Sequence, residues 1–134
     1  MGKRVGSLLA FVTTIAAGAY AQDGGQVIQG GATITSPSTT TTVIDQSTDR
    51  VIINWNGFSV GADSSVIFNQ PGSTSVALNR VIGGNPSSIL GSLSANGQIF
   101  LLNPNGIVFG QGSQVNVNGL VASTLSLADS DFMS

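Results

Sequence analysis

The chain after residue 30 consists of short runs in which apolar and polar residues alternate, divided by small and turn-forming residues. Three apolar pairs, each with the i, i+2 spacing of one strand face, recur at intervals of eight residues. They are Ile99 and Leu101, Ile107 and Phe109, and Val115 and Val117. The pattern predicts short strands whose paired apolar side chains point into one shared core.

Asparagine-glycine pairs stand between these runs at four positions. They are Asn56-Gly57, Asn96-Gly97, Asn105-Gly106 and Asn118-Gly119. Each is expected to supply the positive φ of a tight corner. Two folds satisfy the pattern: an antiparallel meander of hairpins, or a β-solenoid in which each strand stacks on its counterpart one coil later. The strand around Phe100 and Leu102 is apolar on both faces, and the corners are short and uniform, which favours the solenoid.

Three further features bear on the fold. The run from Thr39 to Thr42 continues into apolar residues, and its β-branched side chains predict an edge strand rather than a low-complexity linker. Residues 87–93 fit either a short helix or a strand, because periodicity over so few residues does not separate the two. Trp55 and Phe58 flank a turn and are expected to pack in the core, since aromatic side chains bury large areas.

The N-terminus has the pattern of an export signal. Lys3 and Arg4 form a positive start, and residues 5–18 are apolar or small. A retained membrane anchor is the alternative, but this stretch is short for a span of about 20 residues. We therefore expect export through the inner membrane of a bacterium.

A cleavage site follows the apolar stretch. Ala19 and Ala21 provide the small residues of an A-x-A site, so cleavage before Gln22 is expected. Residues 1–21 are then the signal peptide, and residues 22–134 form one small domain. Its apolar residues are mostly Val, Ile, Leu and Phe, and it is rich in Gly, Ser and Asn, which predicts an all-β class.

Composition excludes several kinds of function. The 134 residues include no Cys and no His, so disulfides, Ser–His triads and Cys–His pairs have no members from which to form. The two cations of the mature region, Arg50 and Arg80, cannot neutralise many phosphates, which excludes a basic nucleic-acid surface. Asp45, Asp49 and Asp63 lie in different turns and form no dense repeat, so no Ca²⁺ site, cofactor or enzyme activity is expected.

The best-defined turn is Asn103-Pro104-Asn105-Gly106, which Ile107 follows. Asn at the first position, Pro at the second and Gly at the fourth fit a type I turn, and Asn side chains can hydrogen-bond the local backbone. One interpretation is a corner that sets the register of a coil. The other is a corner that a partner protein also recognises, and the two interpretations are compatible.

A second candidate motif is the pair Asn79-Arg80, which lies within an apolar run. Arg80 has three interpretations: an exposed side chain, an ion pair with a nearby Asp, or a contact with a partner protein. The third is considered because Arg is enriched at interface hot spots.

Six segments together resemble one family. They are Asn54–Gly61, Val66–Pro71, Ala77–Val81, Ser88–Gly91, Ala95–Leu101 and Asn103–Ile107. In this order they are similar to the two-partner secretion (haemagglutination activity) domain of filamentous haemagglutinin-like and high-molecular-weight-adhesin-like exoproteins. The resemblance covers residues 30–132 and implies a right-handed parallel β-helix with an N-terminal cap. Domains of this family continue into further coils, so the resemblance also implies a C-terminally truncated domain.

The resemblance implies a secretion-targeting domain of a large exported adhesin or haemagglutinin that is secreted or stays at the cell surface. Its partner would be an outer-membrane transporter of the Omp85 (TpsB) type, whose POTRA domains would recognise an extended segment in the periplasm. β-Augmentation suits such recognition, because main-chain pairing needs no particular side chain, and the domain would nucleate β-helix folding at the surface. The recognition residues would be Asn79, Arg80, Asn103, Pro104, Asn105, Gly106 and Ile107.

Two other classes of function are considered. One is an adhesin module that binds host glycan or protein with its own solenoid surface; host contact would otherwise lie in a passenger beyond this chain. The other is a β-helical carbohydrate-active enzyme such as a pectate lyase, which would require clustered Asp around Ca²⁺. Glycan binding by the domain would favour the first, bond cleavage the second, and transporter-dependent export the secretion domain.

Overall fold

The computed structural model describes residues 21–133. Within them are fourteen strands and one short C-terminal helix, α1 (Asp129–Met133). The strands are β1 (Gln22–Asp23), β2 (Gln26–Gln29), β3 (Ala32–Ser38), β4 (Thr41–Gln46), β5 (Arg50–Trp55), β6 (Gly57–Phe58), β7 (Ser65–Asn69), β8 (Val76–Val81), β9 (Ser87–Ile89), β10 (Ser92–Ala95), β11 (Gln98–Leu102), β12 (Ile107–Phe109), β13 (Gln114–Asn116) and β14 (Gly119–Ser123). The predicted signal residues 1–20, with Ala19 among them, lie outside the described residues. Between residues 21 and 133 no helix is long and apolar enough to cross a membrane.

Most strands pair in parallel with strands one coil away, so the chain forms a β-solenoid of about four turns. Sheet one contains β3, β4, β7, β10 and β13, sheet two contains β2, β5, β8, β11 and β14, and β9 with β12 forms the third side. Thr41 pairs with Ser65, 24 residues later, and Ser65 pairs with Ser92, 27 residues later. Parallel pairing over a whole coil confirms the predicted parallel β-helix and excludes the meander.

The interval of eight residues in the sequence marks the sides of the solenoid. Ile99, Ile107 and Val115 lie on β11, β12 and β13, which are three successive sides. Stacked neighbours are one full coil apart instead, as Leu93 and Val115 are. Three sides of eight residues give one coil of the 24 residues that separate β4 from β7.

The first three strands cap the N-terminal end of the solenoid. β1, β2 and β3 pair antiparallel with β6, β5 and β4, which belong to the first coil. The register shifts within β2 and within β3, and Pro37 lies on β3 next to such a shift. An irregular, proline-bearing outer strand discourages pairing with another chain. The N-terminal cap implied by the resemblance is therefore present.

Two local predictions are resolved by this pairing. Thr41 and Thr42 begin β4, which pairs with β3 on one side and β7 on the other, so the predicted edge strand is wrong. The cap strand covers β4, and β3 takes the edge instead. Residues 87–93 are extended rather than helical: they form β9 and the start of β10, which lie on different sides of the solenoid.

The core lies between the three sides. Its buried side chains come from every coil and include Ile44, Val51, Ile53, Val66, Phe68, Ala77, Leu93, Ile99 and Leu101. Trp55 and Phe58 are each 2% exposed, and their rings meet edge to face with 5.3 Å between centroids. The predicted core packing of these two aromatic side chains is confirmed.

The prediction of one shared core for the three apolar pairs is only partly right. Ile99 and Leu101 are buried, and Ile107 and Val117 are half-buried against the same cluster. Phe109 and Val115 are 39% and 36% exposed. Both stack on buried residues of the preceding coil, but no further coil covers them within the described residues.

The prediction of four positive-φ corners is wrong at three of the four Asn-Gly pairs. Among residues 21–133, Gly106 is the one glycine of these pairs at positive φ, with a φ of 111°. Gly57 and Gly119 begin strands β6 and β14, where the backbone is extended. Gly97 is needed for close approach instead, because a Cβ there would lie 2.7 Å from the carbonyl oxygen of Ser75.

Candidate functional site

The predicted turn after β11 is a closed corner. The amide of Gly106 donates to the carbonyl oxygen of Asn103 at 3.1 Å, which is the hydrogen bond of a β-turn. The side chain of Asn103 is fully buried, and its Oδ1 accepts from the amide of Asn105 at 2.9 Å. Pro104 and Asn105 are exposed at the tip. The turn prediction is therefore confirmed, with the two Asn side chains in different environments.

The corner is bonded to the corner of the preceding coil. Asn103 Nδ2 donates to the carbonyl oxygen of Asn85 and to Ser87 Oγ, each at 3.0 Å. Asn105 Nδ2 donates to the carbonyl oxygen of Gly83 at 2.8 Å. These bonds tie successive coils together, so the corner sets coil register as expected.

Asn79 lies inside the solenoid rather than on its surface. It is fully buried, and its Oδ1 accepts from Trp55 Nε1 at 2.9 Å. Its Nδ2 donates to the carbonyl oxygen of Phe100 at 3.3 Å. A buried indole N–H needs such an acceptor, so in the folded domain Asn79 serves the core and connects three coils.

Arg80 lies on the opposite face of the same strand. Its Nη2 forms an ion pair with Asp129 of α1 and donates to the carbonyl oxygen of Leu127 at 2.9 Å. Its Nη1 donates to Asn54 Oδ1 at 3.3 Å. The side chain is 22% exposed, so the interpretation as an Asp-paired Arg is confirmed and the exposed one is wrong.

The fold brings the two motifs to the same end of sheet two. Leu101 pairs with Asn79 and Leu102 pairs with Arg80, so Asn103 follows directly after these pairs. Ile107 starts β12 on the third side and is half-buried against the core. The candidate site is therefore one corner with an exposed tip, flanked on sheet two by Arg80.

A ladder of side-chain amides fills the opposite corner, between sheets one and two, and was missed from the sequence. Gln70 Nε2 donates to Gln46 Oε1 at 3.1 Å, and Gln70 Oε1 accepts from the amide of Gly97 at 2.9 Å. Asn96 exchanges two hydrogen bonds of 2.8 Å with the backbone of Gln70. Gln46 and Gln70 are buried. The available signal was an Asn or Gln at or just after each strand of sheet one, once per coil.

Replacing Gln70 with Ala should destabilise the domain by about 2 kcal/mol, because the buried amide of Gly97 and the side chain of Gln46 would lose a partner. Asn69→Ala is the matched control, since Asn69 is exposed and bonds Asp45 at the surface. Urea denaturation followed by circular dichroism measures both. Equal midpoints for the two variants would show that the ladder contributes nothing to stability.

The residues next to the predicted cleavage site belong to the cap. The amide of Ser59 donates to the carbonyl oxygen of Ala21 at 3.1 Å. Gln22 Oε1 accepts from Thr42 Oγ1 at 2.7 Å, and Gln22 Nε2 donates to the carbonyl oxygen of Ser59. Gln22 therefore fixes the start of the domain to the first coil, while cleavage between Ala21 and Gln22 stays a prediction.

Comparison with known proteins identifies relatives of this fold. Two proteins named Heme/hemopexin-binding protein, both from Haemophilus influenzae, are 42% and 40% identical over 124 residues. Each match covers 89% of this chain but only 14% and 13% of the relative. The chain thus spans about one seventh of the length of these curated relatives.

A solved structure and a family model agree with this relationship. The crystal structure of the HMW1 secretion domain from Haemophilus influenzae superposes with a TM-score of 0.80 at 37% identity. The match covers 84% of this chain and 30% of that structure. Residues 19–134 match the family model of the TPS secretion domain. The chain accordingly belongs to the family of two-partner secretion (TPS) domains.

Proposed function

We propose that this domain directs a large exoprotein to a cognate outer-membrane transporter. Family membership over nearly the whole described chain is the observation that carries the proposal. The exported chain would pass through the periplasm, be recognised there by the POTRA domains of a TpsB-type transporter, and be secreted or stay at the cell surface. No catalytic step is part of this role.

The exposed tip of the corner is the surface best suited to recognition. Pro104 and Asn105 are exposed, and the proline fixes the backbone angle at the tip. Asn103, by contrast, is buried and satisfied by its own coil and the preceding one. We therefore assign recognition to Pro104 and Asn105, and assign Asn103, Gly106 and Ile107 to holding the corner in place.

The cap offers a second contact, made through the backbone. β3 is the outermost strand of sheet one, and among the described strands only β4 pairs with it. A POTRA domain would add a strand there, or to the same segment while it is still extended, because strand addition uses main-chain groups. The completed cap and first coil would then serve as the template on which later coils fold.

Binding of a host ligand belongs to other parts of the exoprotein under this proposal. The curated relatives are named for heme and hemopexin binding, and the matched region is 14% and 13% of their length. Glycan or hemopexin binding by the isolated domain would instead favour the adhesin module.

The decisive experiment is export of a passenger fused to the domain, with and without the co-expressed transporter. We expect export to require the transporter, and Asn105→Gly to reduce it severalfold while circular dichroism shows a folded domain. Glycine keeps the backbone of the turn accessible but removes the side chain at the tip. Asn69→Ala, an exposed Asn on sheet one, is the matched control and should export normally.

Two outcomes would contradict these assignments. Export without the transporter would overturn the proposed function. Normal export of Asn105→Gly would show that the corner serves register alone.

A further inference from the structure

An apolar stripe runs across the outer face of sheet two. Ile52, Leu78, Phe100 and Val121 are paired in register on four successive coils. Ile52 and Leu78 are completely buried although they point away from the solenoid interior, whereas Val121 is 43% exposed. Something other than the solenoid core therefore covers the first three members of the stripe.

The cover is a strap formed by residues 127–133, which include α1. Leu127, Phe132 and Met133 pack on the stripe, and Phe132 is 7% exposed. The rings of Phe132 and Phe100 meet edge to face, with 5.7 Å between centroids and 69° between planes. The strap thus places one aromatic anchor in a groove floored by the stripe.

Arg80 lies at the side of this groove and fixes the strap by its polar atoms. It pairs with the Asp129 carboxylate and with the backbone carbonyl of Leu127, while Asn54 orients the guanidinium from the neighbouring strand. The groove therefore recognises a carboxylate and an aromatic ring three residues apart on one short segment. It selects for negative charge, since Arg80 is one of two cations after residue 21.

We propose that this groove is a binding site for a short acidic-aromatic segment of the transporter's periplasmic domain, and that the strap occupies it in cis. The inference rests on the proposed function. The groove adjoins the recognition corner, because Leu102 belongs to the buried cluster under the strap and Asn103 follows it. A helix of five residues has little stability of its own, so a competing segment displaces it at low cost.

The first test measures the groove directly with a labelled peptide that has the sequence of residues 126–133. We expect it to bind the full chain carrying Asp129→Ala and Phe132→Ala about tenfold more tightly than the unchanged chain, where the strap competes at high effective concentration. Adding Arg80→Gln to the open variant should remove this binding. A peptide in which Asp129 and Phe132 are both replaced by Ala is the control.

Circular dichroism establishes that each variant is folded, and Asp129→Ala alone replaces the double variant if that one is not. Failure of the peptide to bind a folded open variant would overturn the groove. Binding that survives Arg80→Gln would overturn the assigned recognition of the carboxylate.

The second test uses the isolated periplasmic domain of the cognate transporter. We expect it to bind the open variant several-fold more tightly than the unchanged chain, and the peptide to compete. A structural role of the strap alone predicts the opposite order, because loosening the strap would then weaken binding. Equal or weaker binding to the open variant overturns the transporter segment as occupant, whereas absence of binding to either chain, with the peptide still bound, overturns the proposed function itself.

Discussion

Leu101→Asp should prevent the domain from folding. Leu101 is completely buried in the core at the middle of the third coil, where no cation or water is available to a carboxylate. Burial of an unpaired charge costs at least about 4 kcal/mol, a large share of the roughly 5–15 kcal/mol that stabilises a domain. Loss of the β-sheet circular dichroism signal and rapid proteolysis are the expected observations.

Leu125→Asp is the matched control for this change. Leu125 is 76% exposed, so the same substitution there should leave the free energy of unfolding nearly unchanged. A folded Leu101→Asp protein with a cooperative unfolding transition would contradict the assignment of Leu101 to the core.

Asn103→Ala should both destabilise the domain and stop export. The change removes an acceptor for the Asn105 amide and a donor to the Asn85 carbonyl and to Ser87, all at a fully buried position. Three lost hydrogen bonds at such a site cost about 3 kcal/mol. Because the corner and its tip then lose their fixed position, export of a fused passenger should fall more than it does for Asn105→Gly.

Asn118→Ala provides the comparison for this prediction. The Asn118 side chain also bonds a backbone carbonyl of an earlier coil, that of Ser73, but it is exposed. Its loss should cost under about 1 kcal/mol. If both variants unfold at the same urea concentration, the buried amide of Asn103 does not hold the corner.

The architecture could be predicted because its signals are local and repeated. Alternating apolar residues, the proline of the corner and the small residues between strands each follow from backbone geometry at one position. The same reasoning placed Trp55 and Phe58 in the core correctly. It failed for Gly57, Gly97 and Gly119, because whether a glycine lies in a turn or begins a strand depends on the coil against which it packs.

Contacts between coils could not be predicted from the sequence by local rules. The hydrogen bond from Trp55 to Asn79 joins residues 24 positions apart, and the ion pair from Arg80 to Asp129 joins residues 49 apart. A buried Asn and a paired Arg in one apolar run look alike until the register decides which side of the strand each occupies. The role of the candidate site therefore depended on topology more than on motif.

The stacking of whole coils also converts chain length into very little rod length. Each coil takes up about 24 residues between paired strands such as β4 and β7. Fully extended, that segment measures roughly 80 Å, whereas stacking it adds only about 4.8 Å along the solenoid axis. Every coil that closes therefore draws some 75 Å of contour toward the cap, by roughly. For a chain emerging from a narrow opening, this contraction gives the movement a direction without any other source of force.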